Sequence, residues 1–185
     1  MYRAWLVDLD GTLYWSLPVQ IAMSIQLCFA RSSDRRSILE FRATHERLRL
    51  QGTSHDPSPF WTQLTQAAAA NAISEDEMRR LVDEWMIERP LRWIALARRR
   101  RLLAEIASFR AAGGRTAIVS DYPARRKLES LGILLDFDAI VANGEPGGPS
   151  RLKPDPGGYL LAAARLDVPP ESCLVIGDRK DSDGE

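Results

Sequence analysis

Hydrophobic and polar positions follow two different periods along this chain. Residues 4–7 form a short apolar run, and 116–119, 139–142 and 173–176 repeat it, each followed by a polar or glycine-bearing stretch. Runs of this length predict buried strands. From about residue 16 to residue 89 apolar residues instead recur at helical spacing, with almost no strand signal. Leu17, Ile21, Ile25, Cys28 and Phe29 share one helical face. Asp34 is expected to cap a second helix running to about residue 50, with Ile38, Phe41, His45 and Leu48 on one side. Residues 51–59 read as a loop, 60–70 as a short helix, and Ser74 with Glu77 as a capping box opening a helix to about residue 87. Pro90 marks a break, and 93–112 reads as one long helix ended by Gly113 and Gly114. Pro123 is expected to open a helix that Gly132 stops, and a last helix covers 156–166.

Strands that alternate with helices argue for a parallel sheet covered on both faces. The helical block 16–89 is then an insertion, and 1–15 with 90–185 form a discontinuous core. Such a core ordinarily continues with a helix after its last strand, so the final elements are expected to be missing from this sequence.

Composition narrows the function classes. The chain has 185 residues and 45% hydrophobic residues, with 25 basic and 25 acidic side chains that cancel. Its mean hydropathy is −0.24. Zero net charge offers no bulk attraction for nucleic acid or anionic lipid. The most apolar stretch, 17–30, is interrupted by Gln20, Ser24 and Gln26 and is too short to span a bilayer. No leader precedes the first strand, so a cytoplasmic location is expected. Cys28 and Cys173 are expected to be separate buried thiols. Arg98 to Arg101 spray around a helix and read as a solvated surface, and Arg125, Arg126 and Lys127 are expected on an exposed helix face, with a basic group near a bound phosphate as the alternative. Lysine is rare: only Lys127, Lys153 and Lys180 occur among the 25 basic residues, which makes each worth inspecting. His45 and His55 are expected to be structural or exposed, and Trp61, Trp85 and Trp93 to pack the helical block or its base.

The candidate chemistry lies at the carboxyl ends of the strands, where open parallel sheets bind ligands. Asp8 and Asp10 end the first strand, two residues apart and pointing the same way, so they repel unless a cation or a shared proton intervenes. Ser120 and Asp121 end the second strand, Lys153 sits in a loop before a helix, and Asp178 follows the last strand. This is an acid cluster suited to a cation, with a hydroxyl donor and an ammonium.

This set resembles the haloacid dehalogenase-like hydrolase superfamily: Asp8-Leu-Asp10-Gly-Thr as first motif, Ser120 as second, Lys153 in Lys-Pro-Asp-Pro as third, and residues 177–183 as fourth. The resemblance implies a Rossmann-like doubly wound core with the helical insertion as a cap. It implies Mg²⁺ as cofactor, with Asp8, Asp10 and Asp178 as its ligands, Asp10 through its backbone carbonyl. Asp8 becomes the nucleophile that forms an aspartyl-phosphate, and Asp10 the general acid and then base. Ser120 and Lys153 would bind the phosphate, and Thr12 would orient Asp10 or the phosphate. Asp183 would hold the metal shell or Lys153 in place, with Asp181 as its rival. Asp10 favours phosphate transfer over dehalogenation, since relatives that remove halide lack that second acid. The function implied is a phosphatase for a small phosphorylated metabolite, the alternatives being a phosphomutase or a non-catalytic interaction protein of the same fold. Neither the substrate nor the oligomeric state is legible.

Overall fold

The computed structural model describes residues 2–51, 58–179 and 183. In chain order its elements are β1 (Ala4–Val7), α1 (Ser16–Cys28), α2 (Ser32–Gln51), α3 (Pro59–Asn71), α4 (Glu75–Val82), α5 (Leu91–Leu96), α6 (Arg100–Ala111), β2 (Arg115–Ser120), α7 (Arg125–Leu131), β3 (Ala139–Ala142), α8 (Gly157–Leu166) and β4 (Cys173–Ile176). One π-helical stretch, Asp83–Glu88, continues α4.

The four strands are parallel, in the order β3-β2-β1-β4. The first strand is therefore interior to the sheet, with Val7 opposite Ile118 on one side and Ile176 on the other. A strand paired on both edges and covered on both faces needs apolar side chains. Ala4, Leu6 and Val7 are all buried. Alternation divides the sheet's side chains between two clusters. Leu6, Ala117, Val119 and Val141 pack with Ala162, Ala163 and Leu166 of α8. Val7 and Ile118 face the other way, onto Ile106 of α6 and Leu128 and Leu131 of α7. The result is the Rossmann-like doubly wound α/β fold, and each expected strand lies within one residue of its observed bounds.

The helices between β1 and α5 form a layer with apolar clusters of their own. Phe41, Phe60, Leu64, Met78 and Val82 join α2, α3 and α4, and Ile38, Leu81 and Trp85 form a second cluster. The N-cap bond of the expected capping box is present: Ser74 Oγ accepts from Glu77 N at 3.1 Å.

Several helical expectations need correction. The stripe of α1 read as its packed face is exposed, with Leu17, Ile21, Ile25 and Phe29 at 65, 53, 56 and 87%. Val19, Met23 and Leu27 pack inward instead. The helix carries no charged residue, so its periodicity offers two apolar faces and no polar face to choose between them. The long helix 93–112 is two helices, because α5 and α6 are separated by a stretch that pairs with the chain after β1. Trp15 N donates to Ala97 O and Arg99 N to Leu13 O, both at 2.9 Å. Helix α7 starts at Arg125 rather than Pro123, because Glu145 caps it from another loop, accepting from Ala124 N and Arg125 N at 2.7 and 2.8 Å. Asp34 lies inside the first turn of α2, which begins at Ser32. Cys28 is exposed and Cys173 half-buried; both thiols are free. Trp61 is 48% exposed. Residues 52–57, including His55, lie outside the described residues, as does Asp181. Among the described residues no helix is long and apolar enough to cross a membrane.

Candidate active site

The central strand delivers its first acid into the sheet's carboxyl edge. Asp8 N donates to Ile176 O at 2.8 Å, and a turn closed by Thr12 N and Leu13 N on Leu9 O follows. Gly11 sits in this turn with φ +96°, a left-handed conformation that only glycine adopts without strain. A Cβ there would also lie 2.2 Å from Asp178 Oδ2, so the first and last strand-end loops approach as closely as a missing side chain permits.

Asp8 is 8% exposed. Lys153 Nζ donates to Asp8 Oδ1 at 2.6 Å and to Asp183 Oδ1 at 2.8 Å. Thr12 Oγ1 donates to Asp8 Oδ2 at 2.9 Å, so the side chain that Thr12 orients is Asp8 and not Asp10. Tyr159 O–H donates to Asp183 Oδ1 at 2.6 Å. Burial pushes the Asp8 carboxyl up to about 6, with the Lys153 ammonium pulling against it. For Lys153 burial alone would lower the pKa, but the charge of Asp8, Tyr159 and the bond to Asp183 outweigh it and raise it. The pair is therefore ionised at neutral pH, at a cost that burial sets and mutual attraction offsets.

Asp10 turns to a different set of partners. Lys127 Nζ donates to its Oδ1 at 2.6 Å and its Oδ2 at 2.7 Å. Tyr14 O–H donates to Oδ1 as well. Lys127 is 5% exposed, contrary to the expectation of an exposed basic run on α7. Burial first, and then the Asp10 charge and hydrogen bond, raise the Tyr14 pKa well above its ordinary value. Tyr14 is not among the expected site residues, and Lys127 enters there only through the alternative of a basic group near the phosphate. The rarity of lysine was the one signal that could have singled out Lys127.

Ser120, 2% exposed, lies on the wall of the same cavity. Its hydroxyl donates to Tyr122 O at 2.8 Å and accepts from Tyr122 N at 3.2 Å. The neighbouring Asp121 ties two loops together, its Oδ1 accepting from Lys153 N at 3.1 Å. Burial raises the Asp121 pKa, against the charge of His45. His45 of α2 reaches down to this loop: its Nε2 is 3.9 Å from Asp121 Oδ2, and its ring stacks on Tyr122 at 4.5 Å.

The donor set fits a hard divalent cation. Carboxylate oxygens of Asp8, Asp178 and Asp183 all lie within 4.8 Å of one another. Oxygen-only donors of this kind suit Mg²⁺. The four carboxylates of Asp8, Asp10, Asp178 and Asp183 outnumber the ammoniums of Lys127 and Lys153 beside them, while Arg42 and Arg179 also line the cavity. The Asp10 carboxylate is not part of the three-acid cluster, which leaves only its backbone carbonyl for the role the sequence suggested.

These groups line the floor of a cavity of about 410 Å³. The helical layer forms much of its wall, with Met23, Leu27, Ile38, Trp85 and Met86 apolar, and Arg42, His45 and Glu46 polar. The size is that of a pocket for a small molecule. The site thus offers a buried carboxylate, an acid or base beside it, two ammoniums and a cation-binding cluster under one chamber. That combination can stabilise a transferring phosphoryl group.

The chain matches the family model of haloacid dehalogenase-like hydrolases over residues 2–184. No curated protein sequence matches it. Among solved structures it is similar to β-phosphoglucomutase from Clostridium difficile, with 20% identity, 98% of this chain and 78% of that chain covered, and a TM-score of 0.60. It is similar to 2-haloacid dehalogenase from Pseudomonas syringae, with 20% identity, 99% and 80% covered, and a TM-score of 0.59. It is also similar to the hydrolase YfnB from Bacillus subtilis bound to magnesium, with 16% identity, 98% and 82% covered, and a TM-score of 0.58. At these identities the likeness to solved structures is one of fold.

Proposed function

The chain belongs to the haloacid dehalogenase-like hydrolases, and from that premise we propose that it is a Mg²⁺-dependent phosphatase. Its substrate is a small phosphorylated metabolite, hydrolysed through an aspartyl-phosphate on Asp8. The observation that carries this reading is the buried Asp8–Lys153 pair, 2.6 Å apart, at the floor of the chamber.

In this reading Asp8, held by Thr12 and Lys153, attacks phosphorus. Lys153 sits where a phosphoryl oxygen would approach and meets its charge. Ser120 donates to another phosphoryl oxygen once its hydroxyl rotates from the Tyr122 carbonyl. Asp10 gives a proton to the leaving oxygen and then takes one from the water that hydrolyses the intermediate. Asp183 and Tyr159 hold Lys153 in place. Asp8, Asp178 and the Asp10 backbone carbonyl would hold Mg²⁺, which when bound neutralises phosphate charge and aligns the phosphorus. The helical layer 16–89 serves as a cap, and its apolar wall receives the leaving group. Asp10 supports phosphate transfer over dehalogenation.

Hydrolysis of p-nitrophenyl phosphate with and without Mg²⁺, by the native chain and Asp8→Asn, tests this. Turnover should need both metal and Asp8; turnover that survives Asp8→Asn removes the nucleophile. The likeness to β-phosphoglucomutase favours a second reading, a phosphomutase. Isomerisation of a sugar phosphate without phosphate release would establish it.

A further inference from the structure

We infer that Lys127 is the positioning residue of Asp10, and that Asp10 exchanges its proton through Oδ2. The inference rests on the phosphatase reading and adds a residue that none of its motifs contains.

A carboxylate has about four lone-pair positions, two on each oxygen. Asp10 Oδ1 receives both Lys127 Nζ, at 2.6 Å, and the Tyr14 hydroxyl. Of the hydrogen bonds among the described residues, Oδ2 receives that of Lys127 Nζ, at 2.7 Å. Among the described residues Oδ1 is filled and Oδ2 keeps one position open. Two bonds from one ammonium and a third from a phenol also fix the plane of the carboxyl. Lys127 is itself held: it is 5% exposed and its Nζ lies 5.8 Å from the centre of the Tyr122 ring. It reaches Asp10 from α7, across the sheet edge, while Tyr14 comes from the turn after β1. The clamp is therefore assembled from two separate parts of the chain around one carboxyl, and both Asp10 and Lys127 face the chamber.

The consequence for the chemistry is specific. In the first half-reaction an Asp8 oxygen bonds to phosphorus, the bond from phosphorus to the leaving oxygen breaks, and that oxygen takes a proton from Asp10. In the second, water bonds to phosphorus, its proton goes to Asp10, and the Asp8–phosphorus bond breaks to release phosphate and restore the Asp8 carboxylate. Both transfers need the Asp10 carboxyl aimed within hydrogen-bond reach of an oxygen on phosphorus. A good leaving group departs without the first proton, so it is insensitive to that aim in the first half-reaction. The open oxygen is the one that can exchange the proton, and Lys127 is what keeps it facing the reaction.

The test compares Lys127→Met and Lys127→Arg with the native chain on p-nitrophenyl phosphate and on a simple alkyl phosphate, in Mg²⁺, with Asp8→Asn as control. Lys127→Met should lower kcat/KM for the alkyl phosphate by roughly a hundredfold, and for p-nitrophenyl phosphate by less than about fivefold. Its kcat on p-nitrophenyl phosphate should fall with a burst of nitrophenol, because hydrolysis of the intermediate also needs Asp10 in place. Lys127→Arg, which keeps the charge and two donors, should restore most of the difference. Equal losses on both substrates, or no loss on either, would overturn the inference while leaving the phosphatase reading intact. Activity retained by Asp8→Asn would instead overturn that reading. Should Lys127→Met fail to fold, Lys127→Gln, which removes the charge, and Tyr14→Phe carry the comparison. Each should show the larger loss on the alkyl phosphate, and equal losses on the two substrates would again overturn the inference.

Discussion

The carboxyl edge of the sheet and the helical layer above it are built by different rules. At the edge, three strand ends and one loop bring polar groups to one cavity: Asp8 from β1, Ser120 from β2, Asp178 from β4, and Lys153 from the loop before α8. Backbone ladders fix the strand ends, and the bond from Lys153 N to Asp121 Oδ1 ties the loop to the end of β2, so the side chains have little freedom to be elsewhere. In the layer, α2, α3 and α4 are joined by hydrogen bonds, Gln63 Nε2 donating to Phe41 O and Thr65 Oγ1 to Glu75 Oε1, and above all by apolar contacts among Phe41, Phe60, Leu64 and Met78. Such contacts need the right volume and not a particular residue. On the proposed reading, chemistry sits where backbone geometry fixes side chains, and substrate selection where packing leaves latitude.

One pair of substitutions tests that division at its sharpest. Lys153→Met leaves the buried Asp8 and Asp183 carboxylates without their shared ammonium. It should cost about 3–5 kcal/mol of stability and lower turnover by roughly 10²–10³. Leu64→Ala, at a fully buried position of the layer, should cost about 2–5 kcal/mol. Its kcat on p-nitrophenyl phosphate should stay within about twofold at temperatures where it is folded. Urea denaturation and steady-state assays on both variants give the four numbers. If Leu64→Ala loses activity as heavily as Lys153→Met, the division fails.

The edge also carries its own pH signature. Asp8 has its carboxyl raised to about 6 from an ordinary 3.8. An acid that binds its proton more tightly when folded favours the folded state fully below about pH 3.8, and that advantage is lost as the pH rises through 6. For the protein in chelator the loss approaches about 3 kcal/mol. Native chain and Asp8→Asn, denatured at a series of pH values from 4 to 7, should converge in stability at the acid end. The native chain should fall behind the variant as the pH rises. Parallel curves would mean that Asp8 is not strained by burial.

The same contrast explains what could be read from the residues and what could not. The strands were legible because each is a continuous apolar run, and the site because its groups fall at strand ends in a fixed order. Asp10's partners were not. Lys127 lies 117 positions from Asp10 in the chain, and on the periodicity of α7 it belongs with two exposed arginines. Only the packing of α7 against the sheet turns it inward. The break between α5 and α6 was hidden for a similar reason: residues 97–99 have nothing in their own composition that ends a helix, and the backbone bonds that end it come from Leu13 and Trp15. The N-cap at Ser74 was legible because its partner, Glu77, lies three residues on. Ser74→Ala should cost about 1 kcal/mol, with kcat unchanged, by urea denaturation and the p-nitrophenyl phosphate assay. A substantial fall in kcat would mean that the layer's local stability reaches the edge.

The smallest effect falls on α1, where the layer misled the periodicity most. Its two apolar faces differ only in what they meet. Ile21 is 53% exposed, and Ile25 56%. Met23, between them in sequence, packs against both Ile38–Trp85 and the core cluster around Val19 and Ile94. Ile21→Gln should therefore change stability by no more than about 0.5 kcal/mol. Met23→Gln places an amide among apolar neighbours and should cost about 1–3 kcal/mol. Denaturation midpoints of the two variants separate them. Met23 also lines the chamber, so only its variant should change the relative kcat/KM of apolar and sugar phosphates. If Ile21→Gln proves the costlier, its face is covered in solution, and the layer's inner and outer sides must be exchanged.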